Sequence, residues 1–168
     1  MVKIFKKIYD FIRYDIPQGV ENLFLWYKVI WNDRNWDQYF IYVILRHKLI
    51  LMEKNIRNGH TVGCDKEADN IKICILILDR IINDVYFEMV FDKHAAKWGE
   101  PKLEFKDSKE YPDCKTIDIV YKNVKTEKDK EQESKDFKKA SDHERYLKQQ
   151  DLDYLFKIMR KHIESWWD

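Results

Sequence analysis

The sequence predicts a mainly all-α fold, a helical bundle around two long antiparallel central helices, and three observations carry that expectation. Apolar residues recur at helical spacing over most of the chain. Only four Gly and three Pro punctuate it, too few for a turn-rich β fold. With 45% hydrophobic residues, a chain of 168 can bury one substantial core. The expected organisation is a single domain over 1–168, with 92–140 as an irregular, partly mobile insertion or linker that holds at most a short strand.

The first central helix is expected from Trp36 to Ile56. One face carries Trp36, Phe40, Val43, His47, Ile50, Leu51 and Lys54, and the opposite face Ile41, Leu45, Leu49, Met52 and Ile56. Two back-to-back stripes predict a helix packed on both sides. Asn32, Asp33 and Asn35 are good capping residues for its start, and Asn58-Gly59 is a left-handed-tolerant stop.

Around this helix the rest follows in order. Lys3 to Arg13 places Ile4, Phe5, Ile8, Phe11 and Ile12 opposite Lys3, Lys6 and Lys7, and should end before Ile16-Pro17 because the residue preceding proline avoids helical backbone. Such a basic amphipathic helix suits either a bundle or an anionic lipid surface, and its shortness favours the bundle. Val20 to Ile30 presents Val20, Leu23, Phe24, Tyr27 and Ile30 and is expected to pack on the central helix. Lys66 to Phe91 is expected to be the second central helix, with Ala68, Ile71, Ile75, Leu78, Ile82, Val85, Tyr86 and Met89 on its main stripe. Pro101 and Pro112 interrupt the next stretch, and Thr116 to Tyr121 alternates like a strand. Lys125 to Lys139 mixes both charges and reads as a linker or a solvated helical turn. Ser141 and Glu144 have the spacing of a capping box, ahead of a C-terminal helix that carries Leu152, Leu155, Phe156, Met159 and Ile163. Trp166 and Trp167 should both be docked, since two exposed indoles would leave a large apolar patch.

Composition narrows the function classes. The 31 basic and 30 acidic residues leave a net charge of +1, so nothing draws the chain as a whole to nucleic acid or membrane. Its three cysteines show no CxxC spacing, no signal peptide is read ahead of them and no apolar run reaches a membrane span, so reduced thiols and a cytoplasmic location are expected. No Gly-x-Ser-x-Gly or glycine-rich phosphate loop is present. His60, His94, His143 and His162 are scattered and expected to be exposed or capping.

Two polar constellations remain. Asp33, Arg34, Trp36 and Asp37, with His47 and Lys54 on the Trp36 face, could line a pocket in which the indole stacks a ring and Arg34 or Lys54 takes a phosphate. The competing reading is a buried structural corner, closed by Trp31 and the terminal tryptophans, with Arg34 clamping a carboxylate. On the second central helix, Arg80 and Asp84 can pair one turn apart, and with Asp79 and Glu88 they form an acidic group. The paired Glu/Asp signatures of metal-dependent nucleotide hydrolases and di-iron bundles are missing there, so an ion-pair network is favoured and no metal or other cofactor is expected.

Three segments taken together, W-x-D-R-x-W-D at Trp31 to Asp37 with Lys48-Leu49 and Met52, I-L-x-R-I-x-x-D-x-Y from Ile77 to Tyr86, and the terminal W-W-D, resemble small uncharacterised proteins of tailed bacteriophages. The resemblance covers about half the chain and leaves 92–139 unmatched. It implies expression in the host cytoplasm and assigns no reaction. The expectation is a non-enzymatic interaction module that binds a host or phage protein. The alternative is a binder of a small nucleotide-like ligand, such as a defence signalling nucleotide, with Asp33, Arg34, Trp36, Asp37, His47, Lys54, Arg80, Asp84, Trp166 and Trp167 as pocket candidates; a metal-dependent hydrolase is a distant third.

Overall fold

The computed structural model describes residues 2–60, 62–107, 111 and 114–167, with side chains from Ile4 onward. The Lys3 side chain, Pro112 and Asp168, used in the sequence argument, lie outside the described residues. The fold is mainly helical with one small sheet. Its elements are α1 (Val2–Asp10), a π turn (Phe11–Asp15), α2 (Ile16–Asn32), α3 (Tyr39–Arg57), α4 (Cys64–Ile82), α5 (Val85–Trp98), β1 (Pro101–Asp107), β2 (Lys115–Tyr121) and α6 (Glu127–His162), followed by a 3-10 turn (Ile163–Ser165). Among the described residues no helix is long and apolar enough to cross a membrane.

The antiparallel central pair is α3 and α4. Arg46 meets Asp79 at 2.5 Å and Arg57 meets Asp69 at 3.0 Å, so residue numbers rise along one helix as they fall along the other. The helix packed on both sides, however, is α4. Ala68, Ile71, Cys74 and Leu78 are fully buried and Ile75, Ile77 and Ile81 nearly so, against α3 on one flank and α6 on the other. On α3 only Leu49 and Ile56 are buried, and Leu45 and Met52 are partly covered. Burial holds the Cys74 thiol well above its usual range, at about 11.

The expected helix from Lys66 to Phe91 is broken in two. Asp84 adopts φ +48°, the left-handed region that Asp and Asn tolerate best, and α5 starts afresh after it. Beyond it, 92–140 is largely regular structure. It completes α5, forms an antiparallel hairpin in which Leu103 faces Ile119 and Phe105 faces Ile117, and enters α6. That helix starts much earlier than the expected Ser141, because the working capping box is Thr126 with Asp129. Thr126 Oγ1 accepts the Asp129 N–H, and Asp129 Oδ2 accepts the Thr126 N–H at 2.9 Å. At 36 residues α6 runs about 54 Å at 1.5 Å per residue, long enough for its first half to lie on α5 and its second on α4. Leu155 and Ile158 are its core residues.

At the other end of the chain, Pro17 does not end the first helix. The π turn bonds the Ile16 N–H to the Phe11 carbonyl, and proline falls in the first turn of α2, where no N–H is required. The result is a helical arm over 2–32. It touches α3 through Trp26, which is half-buried against His47, rather than through the expected stripe. Leu23 is 69% and Phe24 80% exposed, and Val20, Tyr27, Ile30 and Trp31 are also open to solvent.

Candidate functional site

The corner expected to be either pocket or cornerstone is an exposed link between α2 and α3. Trp36 is 82% exposed. Arg34 donates Nη1 to the Asp33 carbonyl at 2.8 Å, and Asp37 Oδ1 accepts the Tyr39 N–H at 2.8 Å, which steadies the first turn of α3. Both bonds are local. Asp33, Arg34, Trp36 and Asp37 do share a shallow depression of about 390 Å³ with Phe40 and Ile41. His47 and Lys54 do not join them. His47 sits edge-on to Trp26 at 4.9 Å with its Nε2 buried and without a hydrogen bond, and Lys54 is exposed further along α3.

The buried version of that corner fails because its aromatic partners are elsewhere. Trp31 is exposed, and the terminal tryptophans lie at the far end of α3, near the start of α4. There Ser165 donates to Glu67 Oε2 at 3.0 Å, and His162 lies 3.3 Å from the Asn70 amide, so the chain end is pinned. Trp166 is docked at 5% exposure with its Nε1 unpartnered. Trp167 is not docked, being 70% exposed.

The second constellation also regroups. With the chain turning at Asp84, its carboxylate faces Lys148 at 3.6 Å instead of Arg80. Arg80 grips Asp151 of α6 with two bonds of 2.8 and 2.7 Å, and the buried Tyr86 phenol donates to the same carboxylate. Burial raises the Tyr86 pKa and the bond to Asp151 raises it further. Asp79 is taken by Arg46. This is a strut joining α4, α5 and α6. No group of three or more His, Cys, Asp or Glu side chains among the described residues is placed to hold a metal ion.

The most developed concavity lies where the sequence argument placed no site. Between α5, the inner face of the hairpin and α6 is a cavity of about 550 Å³, within the usual range for small-molecule sites. Phe87 and Phe91 stack at 4.5 Å along one wall, Phe137 of α6 tilts against Phe91 at 5.3 Å, and Leu103 and Ile119 of the hairpin line the far side. His94 lines this space at 6% exposure, its ring edge-on to Tyr121 at 5.0 Å. Its Nε2 approaches Glu133 Oε1 at 3.3 Å, close enough for electrostatic attraction but not aligned as a hydrogen bond. Burial, then the Glu133 charge, raises the Tyr121 pKa.

His94 was expected at the surface. The signal that marks it was present: from Tyr86 and Val90, His94 and Trp98 continue the α5 stripe one helical turn at a time beyond Phe91, where the sequence argument ended the helix. The hairpin is positioned by Gly99, at φ +85°, which lets the Asn123 N–H reach the Trp98 carbonyl at 2.9 Å. Comparison of the chain with protein-family models, with curated proteins and with solved structures finds no match.

Proposed function

We propose that this chain is a bacteriophage accessory protein, a non-enzymatic interaction module that captures a host or phage protein in the infected cell through its helical arm. The observation that carries this reading is the outward stripe Ile16, Val20, Leu23, Tyr27 and Ile30, spaced alternately four and three residues apart and exposed throughout. That spacing is the seam a second amphipathic helix fills. Phe24 and Trp31 flank it and alone leave about 300 Å² open, at ~200 Å² per aromatic side chain, which already reaches the size of the largest patch on an ordinary monomer. A lipid surface is the weaker occupant, since Asp10, Asp15 and Glu21 cut the charge of the arm's five basic residues, Lys3, Lys6, Lys7, Arg13 and Lys28, to a net +2.

The test is affinity purification from infected cells, followed by reconstitution with the purified partner. Wild-type protein should return a stoichiometric protein that rebinds on mixing, and Leu23→Asp with Tyr27→Asp should lose it without a change in melting temperature. Retention of the same partner by the double variant, self-association through the arm, or sedimentation with anionic vesicles in place of a protein would each overturn the reading. The nucleotide-like alternative has one observation in its favour, the open Trp36 indole beside Arg34 in the α2–α3 depression. Thermal stabilisation by mono-, di- or cyclic nucleotides that Trp36→Ala abolishes would support it.

A further inference from the structure

We infer that the cavity between α5, the hairpin and α6 is a binding site for a small aromatic molecule that carries a positive charge. This site is separate from the arm and independent of what the arm binds.

Shape and chemistry both lead there. The walls are the faces and edges of Phe87, Phe91, Phe137 and Tyr121, which suit a flat ring and attract a cation through their π faces. The hairpin supplies the other wall without closing it. Leu103 and Ile119 belong to its apolar face yet remain 60% and 52% exposed, so a ring lying between them and the phenylalanines would cover surface that the chain leaves open. A two-stranded hairpin is marginal without such packing.

The charge preference comes from the ionisable groups. Among the described residues the lining includes two carboxylates, Asp92 and Glu100, and no lysine or arginine. The buried histidine does not reverse this sign, because His94 faces the Glu133 carboxylate at 3.3 Å. Phosphate-bearing ligands are disfavoured by the same carboxylates.

A matched series reads the charge directly. Tryptamine, indole and indole-3-acetate share one ring system and differ in charge at neutral pH. Titrated calorimetrically or by ligand-observed NMR into the full chain, tryptamine should bind tightest and indole-3-acetate weakest, with about tenfold or more between the extremes, the order that charges a few ångström apart across water produce. Ala95→Leu, which fills the cavity from α5, should weaken tryptamine and indole alike. Asp92→Asn with Glu100→Gln, both exposed, should bring tryptamine to the level of indole and leave indole unchanged. Should Ala95→Leu fail to fold, the carboxylate pair decides alone. No binding of any of the three at millimolar concentration, equal affinity for tryptamine and indole-3-acetate, or a tryptamine affinity left unchanged by these substitutions in folded protein would overturn the assignment.

Discussion

Helices α2 and α4 carry the same kind of apolar stripe and meet opposite fates. In α4, Ala68, Ile71 and Leu78 have no exposed surface; in α2, Leu23 and Phe24 keep most of theirs. Helix α4 lies between two short connections, so α3 folds back along one flank while the returning α6 closes the other. Helix α2 also has a short link to its neighbour, yet it leans on α3 with Trp26, and its broader stripe is turned away. Periodicity thus tells which face of a helix seeks cover. It does not tell whether the same chain provides it.

Substitutions of equal size should separate the two helical environments. Leu155→Ala, at a fully buried position against α4, should lower stability by ~2–5 kcal/mol, the range for truncating a core leucine. Leu23→Ala on the arm should stay within about 0.5 kcal/mol, as exposed substitutions do. Denaturant titration measures both, and similar losses would mean that the arm is part of the cooperative core. Asp151→Ala should fall next, at ~1–3 kcal/mol, because it strands the buried Tyr86 hydroxyl and frees Arg80. Phe substituted for Tyr86 in the same background should recover part of that loss, because the stranded hydroxyl is then absent.

Gly99→Ala should cost ~1–3 kcal/mol, because φ +85° with ψ 172° is a backbone region essentially confined to glycine. A methyl there would also meet the Lys122 Cβ at 3.0 Å, so amide exchange should rise in the hairpin before it rises in α3 or α4. The capping box gives a pH signature. The Thr126 hydroxyl, then the backbone N–H groups, hold the Asp129 carboxylate below its usual 3.8. Its contribution is therefore present above pH 3.8 and lost as the pH falls through the lower folded value, and acid titration followed by amide exchange should show α6 fraying first at its N-terminus. Smallest of all, Arg34→Ala and Asp37→Ala should each leave the melting midpoint nearly unchanged, within about 0.5 kcal/mol, because both side chains are exposed. A large loss at either would restore the buried corner that the structure opens.

The helical class and the antiparallel pair were legible from periodicity and from the Asn58-Gly59 stop, because those signals are local. The break at Asp84 was harder to read, since the apolar stripe continues across it and only Asn83-Asp84 marks the turn. The true start of α6 was masked by charge. Glu127 to Lys139 has almost no apolar content, and its first half is held by the Thr126 cap and by contacts such as Lys97 and Trp98 to Asp136. The cavity was invisible because its walls are α5, the hairpin and the start of α6, most of which fall in the stretch read as an irregular insertion. The corner was over-read: a tryptophan among charged residues resembles a buried polar node, but burial needs neighbouring elements that the arm does not bring.

The three cysteines sit at three depths: Cys114 exposed, Cys64 half-buried with its thiol toward the Gly59 carbonyl, and Cys74 sealed between α3, α4 and α6. Thiol chemistry needs the thiolate and an open path, and Cys74 has neither while the helices stay together. An alkylating reagent therefore times three separate events in one sample. Modification of Cys114 proceeds at the reagent's own pace, that of Cys64 follows local fraying where α3 passes into α4, and that of Cys74 waits for the central helices to part. The slowest of these rates is a clock for opening of the core, readable by mass spectrometry without any engineered label.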